Sequence, residues 1–449
     1  MVRTVALNGL PGGVGLLDLL PADGPLAWVR RGDGLVGWGE AVRIQTSGPG
    51  RFAAADDAWR RLVARAVVRD DVRVRGTGPV AFGSFAFDDE SPAGGVLVVP
   101  SVVVGRRGAR AWLTTVTSEA EAAARRGEEA AGEEADDEAG PPDFRPTRSP
   151  ATAPAASPAP SPGAVYEQPG ALDPGAWCEA TRDIVARIRR GAVDKVVLAR
   201  DVTVTAERPI DPRWVARRLA RHHRDTWTFV VDTMVGATPE LLVRTHRGHV
   251  ASRVLAGTVR RTGERRADQA HADALAHSPK DLAEHRYAVA SVAAALAPRC
   301  SSCRVPDTPY VLSLPNVAHL ASDITGVLRA AEPRPSSLAL AAALHPSAAV
   351  CGTPTDAARD VIREVEHLDR GRYAGPVGWL GADGDGEWGI ALRAGRLASG
   401  DSRRMQLFAG CGIVAASDPA AELAESEAKL EPMRRALGVG TVVGGHRTP

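Results

Sequence analysis

Between Ser118 and Gly170 this chain loses any pattern capable of burying a face. Ser118 to Gly140 is crowded with Ala, Glu and Asp, and the stretch from Pro141 to Gly170 is dominated by Pro, Ala and Ser. Such composition cannot offset the entropy of ordering by apolar burial, so the sequence predicts a flexible insertion over 118–170. Its P-x-P pieces could act as proline ligands, but a solvated spacer is the plainer reading. A fold must therefore be built from two patterned stretches, 1–117 and 171–437, with 438–449 left as a tail.

In the first stretch, short apolar runs alternate with Gly and Asp turns. Residues 27–29, 34–44, 80–87 and 95–104 read as strands, Arg31-Gly-Asp-Gly34 as a hairpin turn, and 53–68 as a helix. From Asp173 a helix to Gly191 leads into a strand from Lys195 to Thr205, then a helix from Pro212. Strands over 228–231 and 241–245 follow, then one long helix over about 265–297 and a last helix over 419–437. Strands often come in adjacent pairs rather than in strict alternation with helices, which predicts an α+β fold. No repeat of fixed period is visible.

Apolar content of 44% and charged content of 24% allow a sizeable core. A net charge of +1 argues against a dedicated nucleic-acid binder. The basic run from Arg217 to Arg224 fits the solvated face of an amphipathic helix. No run of eighteen apolar residues occurs, so no membrane span is expected. The N-terminal apolar stretch is interrupted by Pro11 and glycines and lacks a cleavable-signal layout. Five cysteines without regular spacing speak against a disulfide framework and fit the reducing cytoplasm. Cys300 and Cys303 form a lone C-x-x-C, too little for a zinc site. With no exposed apolar seam in the pattern, a monomer is expected.

Three local patterns bear on chemistry. Gly9 to Gly15 (GLPGGVG) lacks the Gly-Lys-Ser/Thr end of a phosphate loop and is set aside. Glu422 and Glu425 lie three apart on the last helix, and Asp281 and Glu284 repeat that spacing on the long helix, so each pair shares a face. Two such pairs could hold magnesium, which takes hard oxygen ligands. Solvated helix faces carry the same spacing, and spacing alone does not separate the two. Ala409-Gly-Cys-Gly412 and Ala256-Gly-Thr258 could let backbone N–H groups approach a carboxylate, or could be bulges and turns.

Read in order, longer strings carry more. They are KVVLAR (Lys195 to Arg200), GATPELL (Gly236 to Leu242), LAGT (Leu255 to Thr258) and SPKDLAEH (Ser278 to His285). NVAHL (Asn316 to Leu320), LHPSAAVCGTP (Leu344 to Pro354), DRGRYAGPVGW (Asp369 to Trp379) and ALRAG (Ala391 to Gly395) follow. LFAGCGIV (Leu407 to Val414) and the E-x-x-E-x-x-x-K of Glu422 to Lys429 complete the series. Together they resemble the chorismate-utilising enzymes, which include isochorismate, salicylate, anthranilate and aminodeoxychorismate synthases. The likeness covers roughly the last half of the chain, and the N-terminal part matches loosely. Cys411, Leu423 and Arg253-Val254 depart from the family's usual residues without touching the matched ligands.

The resemblance implies two packed antiparallel sheets flanked by helices, with the N-terminal strands joining the same single body. It implies chorismate as substrate and Mg2+ as cofactor, held by Glu284 and Glu425 directly, with Glu422 and Asp281 reaching it directly or through water. Members that use water carry a lysine where this chain has Lys195, which would serve as general base for attack at C2. An ordinary lysine stays protonated at neutral pH, so that task calls for a special setting. Glu240 would donate the proton to the departing C4 hydroxyl. Tyr373, Arg393 and the backbone of Gly410 and Gly412 would bind the pyruvyl carboxylate, with Lys429, Gly257, Thr258 and His319 completing the substrate site. Within the family, the strings from His345 to Pro354 and Asp369 to Trp379 look more like synthases that stop at isochorismate than those that go on to salicylate.

Overall fold

Two long antiparallel strands, Asp33–Thr46 and Gly95–Arg107, form the spine of the molecule. They are seen in a computed structural model that describes residues 1–10, 13–117, 158–331 and 334–439. Their pairing runs from Gly34 opposite Arg106 to Thr46 opposite Gly95, with a bulge between Glu40 and Val42. The outer edge of Gly95–Arg107 is shared. Its later part pairs with Arg110–Val116 and its first part with Val80–Phe85. One strand therefore feeds two sheets.

The first sheet continues from Asp33–Thr46 through Leu26–Arg30, Trp227–Val231, Met234–Thr238, Ala394–Ala398 and Asp401–Ile413 to Lys195–Ala206. The second runs from Val80–Phe85 through Pro376–Gly381, Gly386–Ile390, Leu241–His246 and His249–Arg260 to Val317–Leu328. Every one of these pairings is antiparallel. The two packed sheets expected from the sequence are thus two faces of one continuous ladder. Trp28, Phe229, Phe82 and Trp379 fill the space between them, each at most 1% exposed. Burying a side chain of that size is worth about 2–3 kcal/mol. The Trp28 indole N–H also donates to Glu387 of the second sheet at 2.7 Å.

Helices cover the outer faces. Pro174–Arg189, Pro212–His222 and Pro419–Leu437 lie over the first sheet, and Pro279–Leu296 and Ser337–Leu344 over the second. No described helix is long and apolar enough to cross a membrane. The last helix has the bounds expected, set by Asp418 as N-cap, Pro419 in the first turn and left-handed Gly438 at its end.

The structure corrects several boundaries. The long helix over 265–297 is two, Arg265–His277 and Pro279–Leu296. Pro279 has no N–H to donate back, and the Ser278 hydroxyl caps the second helix through Asp281 N–H. The helix expected over 53–68 spans Arg51–Ala64, and Val68–Asp70 pairs parallel with Val2–Thr4. Residues 118–157 and 440–449, given to the insertion and tail, lie outside the described residues. The end of the expected insertion does not fit a spacer, because Val165–Pro169 is a strand along Val202–Ala206. It needs no buried face: ladder hydrogen bonds and the Glu167–Arg434 ion pair (2.6 Å) secure it at a sheet edge.

Candidate active site

The chain crosses between the sheets at two neighbouring places. Pro239-Glu240 joins Met234–Thr238 to Leu241–His246, and Ala391 to Arg393 joins Gly386–Ile390 to Ala394–Ala398. The crossings are tied to each other. Ile390 N–H donates to the Glu240 carbonyl (3.3 Å), and Ala237 N–H to the Arg393 carbonyl (3.1 Å). Arg393 sits at φ 48°, a left-handed conformation that costs a non-glycine residue of order 1 kcal/mol and persists where its surroundings over-determine it. Both side chains line one cavity.

The cavity gathers most of the expected residues. Gly257, Thr258, Glu284, His319, Tyr373, Gly410, Gly412 and Lys429 line it with Glu240 and Arg393. Glu240 is 4% exposed. Burial pushes its carboxyl up to about 8, although the Leu255 N–H, Lys195, Lys429 and Arg393 pull the other way. Near neutral pH it is mostly the acid.

Lys195 opens its strand with a fully buried side chain. Its Nζ lies 3.3 Å from Glu284 Oε1, an ion-pair distance without hydrogen-bond geometry, and has no hydrogen-bond partner among the described residues. Gly412 makes room for that pair. A Cβ there would stand 2.0 Å from Glu284 Oε1 and 3.0 Å from Lys195 Cε. Gly412→Ala is therefore expected to lower turnover about 100-fold while far-UV circular dichroism stays native, since ångström shifts of reacting groups cost that much. Turnover within a factor of about two would show that the close approach is dispensable.

The glycine pair lies inside the strand Asp401–Ile413, not in a turn. Val197 N–H donates to Cys351 O and Ala199 N–H to a Glu366 oxygen, both away from that strand. Residues opposite each other in an antiparallel ladder turn the same way, so Gly412 and Gly410 point their own N–H and C=O groups outward from the pair. The Gly410 carbonyl accepts from Lys429 Nζ at 2.8 Å. Gly257 is the bulge between Ala256 and Thr258, at φ 77°, and a Cβ on it would reach to 2.9 Å from Asp281 Cβ.

A polar relay crosses the cavity. Arg393 can only donate, so the His319 Nε2 atom 3.0 Å away accepts. His319 is held well below its usual range by burial, Arg393 and Lys429, and is neutral. Its proton is then on Nδ1, directed at Thr258 Oγ1 (3.0 Å), whose hydroxyl is left to serve Glu425. Lys429 Nζ is 2.6 Å from Glu425 Oε1. Burial alone would depress Lys429, but Cys411 and Glu425 outweigh it and keep the ammonium.

The expected acids do not form one ring. Glu422, Glu425 and Cys411 bring ligand atoms within 4.8 Å of one another. Glu284 instead faces Lys195, and Asp281 packs on Gly257. Lys280 reaches into the same group and bonds Glu422, whose carboxyl is pushed up by burial and by Glu425. Burial pushes Glu425 up too, yet Lys429, Lys280 and Thr258 prevail and hold it low. Glu422 and Glu425 offer hard oxygens of the kind a divalent cation takes, although Lys280 and Lys429 already offset their charge and Cys411 is a soft neighbour.

Sequence reading passed over Lys280 and the buried Glu366–Arg370 pair. Glu366 accepts from Ala199 N–H (2.7 Å), and Arg370 donates to the carbonyls of Val197 (2.7 Å) and Val350 (2.8 Å). The pair clamps the strand that carries Lys195. Arg370 stands in the DRGRY string, but its partner four residues earlier gave no separate signal. Tyr373 stacks on Phe408, ring centroids 4.8 Å apart at 10°.

With this geometry in hand, comparison with known proteins defines the class. The family model described as chorismate binding enzyme matches residues 28–438, and the chain belongs to that family. It is 40% identical over 288 residues to isochorismate synthase DhbC of Bacillus subtilis (62% of this chain, 71% of that protein). It is 34% identical over 436 residues to the salicylate biosynthesis isochorismate synthase of Pseudomonas aeruginosa (94% and 85%). The solved structure of DhbC from Bacillus anthracis superposes with a TM-score of 0.74 at 29% identity, covering 95% of this chain and 99% of that one.

Proposed function

We infer that this chain is an isochorismate synthase, converting chorismate to isochorismate by adding water at C2 and releasing the C4 hydroxyl as water. The observation that carries the reading is a buried carboxyl held protonated, Glu240, lining one cavity with a fixed guanidinium, and a fully buried amine, Lys195, 3.3 Å from the lining residue Glu284. Lys195 takes a proton from the water that attacks C2. The ring double bonds shift, and Glu240 gives its proton to the leaving oxygen at C4. Arg393, aimed by His319, and the outward N–H groups of Gly410 and Gly412 take the pyruvyl carboxylate, with Tyr373 beside them. Lys429 adds positive charge at that end.

Glu284, Glu422 and Glu425 would hold Mg2+, with Asp281 one turn before Glu284 in reach through water. When bound, the ion would supply charge that offsets the ring carboxylate in a largely buried site. Treatment with EDTA is expected to stop turnover and added magnesium to restore it. Full activity in thoroughly chelated buffer would remove the metal from the proposal. The free cysteines fit a reducing compartment, and the reading carries with it a monomer working in the cytoplasm.

The decisive experiment incubates the protein with chorismate and magnesium and separates the products. Isochorismate alone is expected. Salicylate with pyruvate, or an aminated product when ammonium is added, would assign the chain to another branch of the family.

A further inference from the structure

Away from the active site, a groove of about 730 Å3 opens between the two sheets. It is walled by the loop carrying Arg73 and Arg75, the turn from Arg107 to Arg110, and the hairpin of Arg244, His246, Arg247 and His249. Three separate parts of the chain thus direct arginines into one hollow. Of the six, Arg75 has a carboxylate partner, Glu387 at 2.8 Å, and its guanidinium also rests on Trp379. The other five, Arg73, Arg107, Arg110, Arg244 and Arg247, have no carboxylate within ion-pair distance among the described residues. Two further acids stand near the rim: Asp33 accepts from the Gly108 N–H at 3.1 Å and lies 3.5 Å from Arg106, and Asp385 is engaged by His246 Nδ1 at 3.3 Å and by the Arg247 N–H at 2.7 Å.

That arrangement is unfavourable on its own. Like charges crowd one another, and burial with Arg75 and Arg244 nearby depresses the Arg107 guanidinium, although Glu387 and Asp33 pull the other way. Elsewhere the protein spends its acids freely on its arginines: Arg363 meets Asp88, Asp89 and Glu90, and Arg434 meets Glu167 and Glu427. A concave site with more arginines than acids focuses a positive potential that favours an anion. Guanidinium forks match the oxygens of phosphate, and five of them call for a ligand with several negative charges. The volume is that of a small-molecule site. No Phe, Tyr or Trp lines it, so it lacks the broad rings on which nucleic-acid bases stack best.

We propose that this groove binds a small polyphosphorylated anion, at a place separate from the chorismate cavity. Calorimetric titration of the intact protein with inorganic tripolyphosphate at low ionic strength is expected to show one saturable site. The triple variant Arg110→Gln, Arg244→Gln, Arg247→Gln should bind at least about tenfold more weakly, the loss of more than one charge-assisted contact. Its chorismate turnover should match the unaltered protein, which also reports an intact fold. Absence of saturable binding, or equal affinity in the variant, would overturn the proposal. Citrate binding as tightly as tripolyphosphate would overturn the phosphate assignment. Residues 118–140 carry nine acids and two arginines. Binding that emerges only after 118–157 are removed would make that acidic stretch the occupant and equally defeat the proposal.

Discussion

Replacing Lys195 by alanine is expected to lower chorismate turnover by about three orders of magnitude, the scale of a lost general base. The reason lies in how the amine is held. Lys195 is fully buried and meets Glu284 at 3.3 Å with no other ion-pair partner among the described residues, and no second amine stands beside it to take over as base. The variant should keep its fold, because the strand around it is pinned by Glu366 and Arg370 through the backbone of Val197 and Ala199. Substrate binding should also persist, measured by equilibrium titration with chorismate, since Arg393 and its relay lie elsewhere in the cavity. Turnover within about tenfold of the unaltered protein would remove Lys195 from the mechanism.

A comparable loss, about 10²–10⁴-fold, is expected for Glu240→Gln, whose amide cannot release the required proton. Here pH gives a second reading. The acid must be protonated to work and titrates at about 8, so turnover should hold below that value and fall as pH rises through it. Stability carries the same sign. The folded protein binds this proton more tightly than the unfolded chain, whose carboxyl titrates near 4.5. The stabilisation is complete below 4.5 and is lost progressively up to about 8. Melting temperatures of the glutamine variant and the parent should therefore be similar at pH 4 and diverge by pH 9 in favour of the variant. A constant difference across that range would show that Glu240 is not the buried acid described.

The sequence displayed the strands and helices that carry apolar periodicity, and strings such as KVVLAR and GATPELL displayed the residues of the cavity. Three things were hidden for physical reasons. Val165–Pro169 has no face to bury, with Tyr166 66% exposed, so composition classed it with the spacer around it. The partnership of Lys195 with Glu284 joins a strand of the first sheet to the helix Pro279–Leu296 and depends on the missing side chain of Gly412, which no local pattern encodes. Likewise, the i,i+3 acids of two helices looked equivalent on paper. Packing separated them: Asp281 went against a bulge, Glu284 against a lysine, and the pair on the last helix drew Lys280 and Lys429.

The long strand Gly95–Arg107 belongs to both sheets, and Trp28 bolts one to the other through Glu387. Layers joined at a shared rib cannot hinge apart like the covers of a book. Glu240 and Arg393 ride on the two stitches across that seam, so the distance between them is as stiff as the sandwich itself. The acids come from the other side, on Pro279–Leu296 and Pro419–Leu437, and the β-layers act as a fixed anvil beneath them.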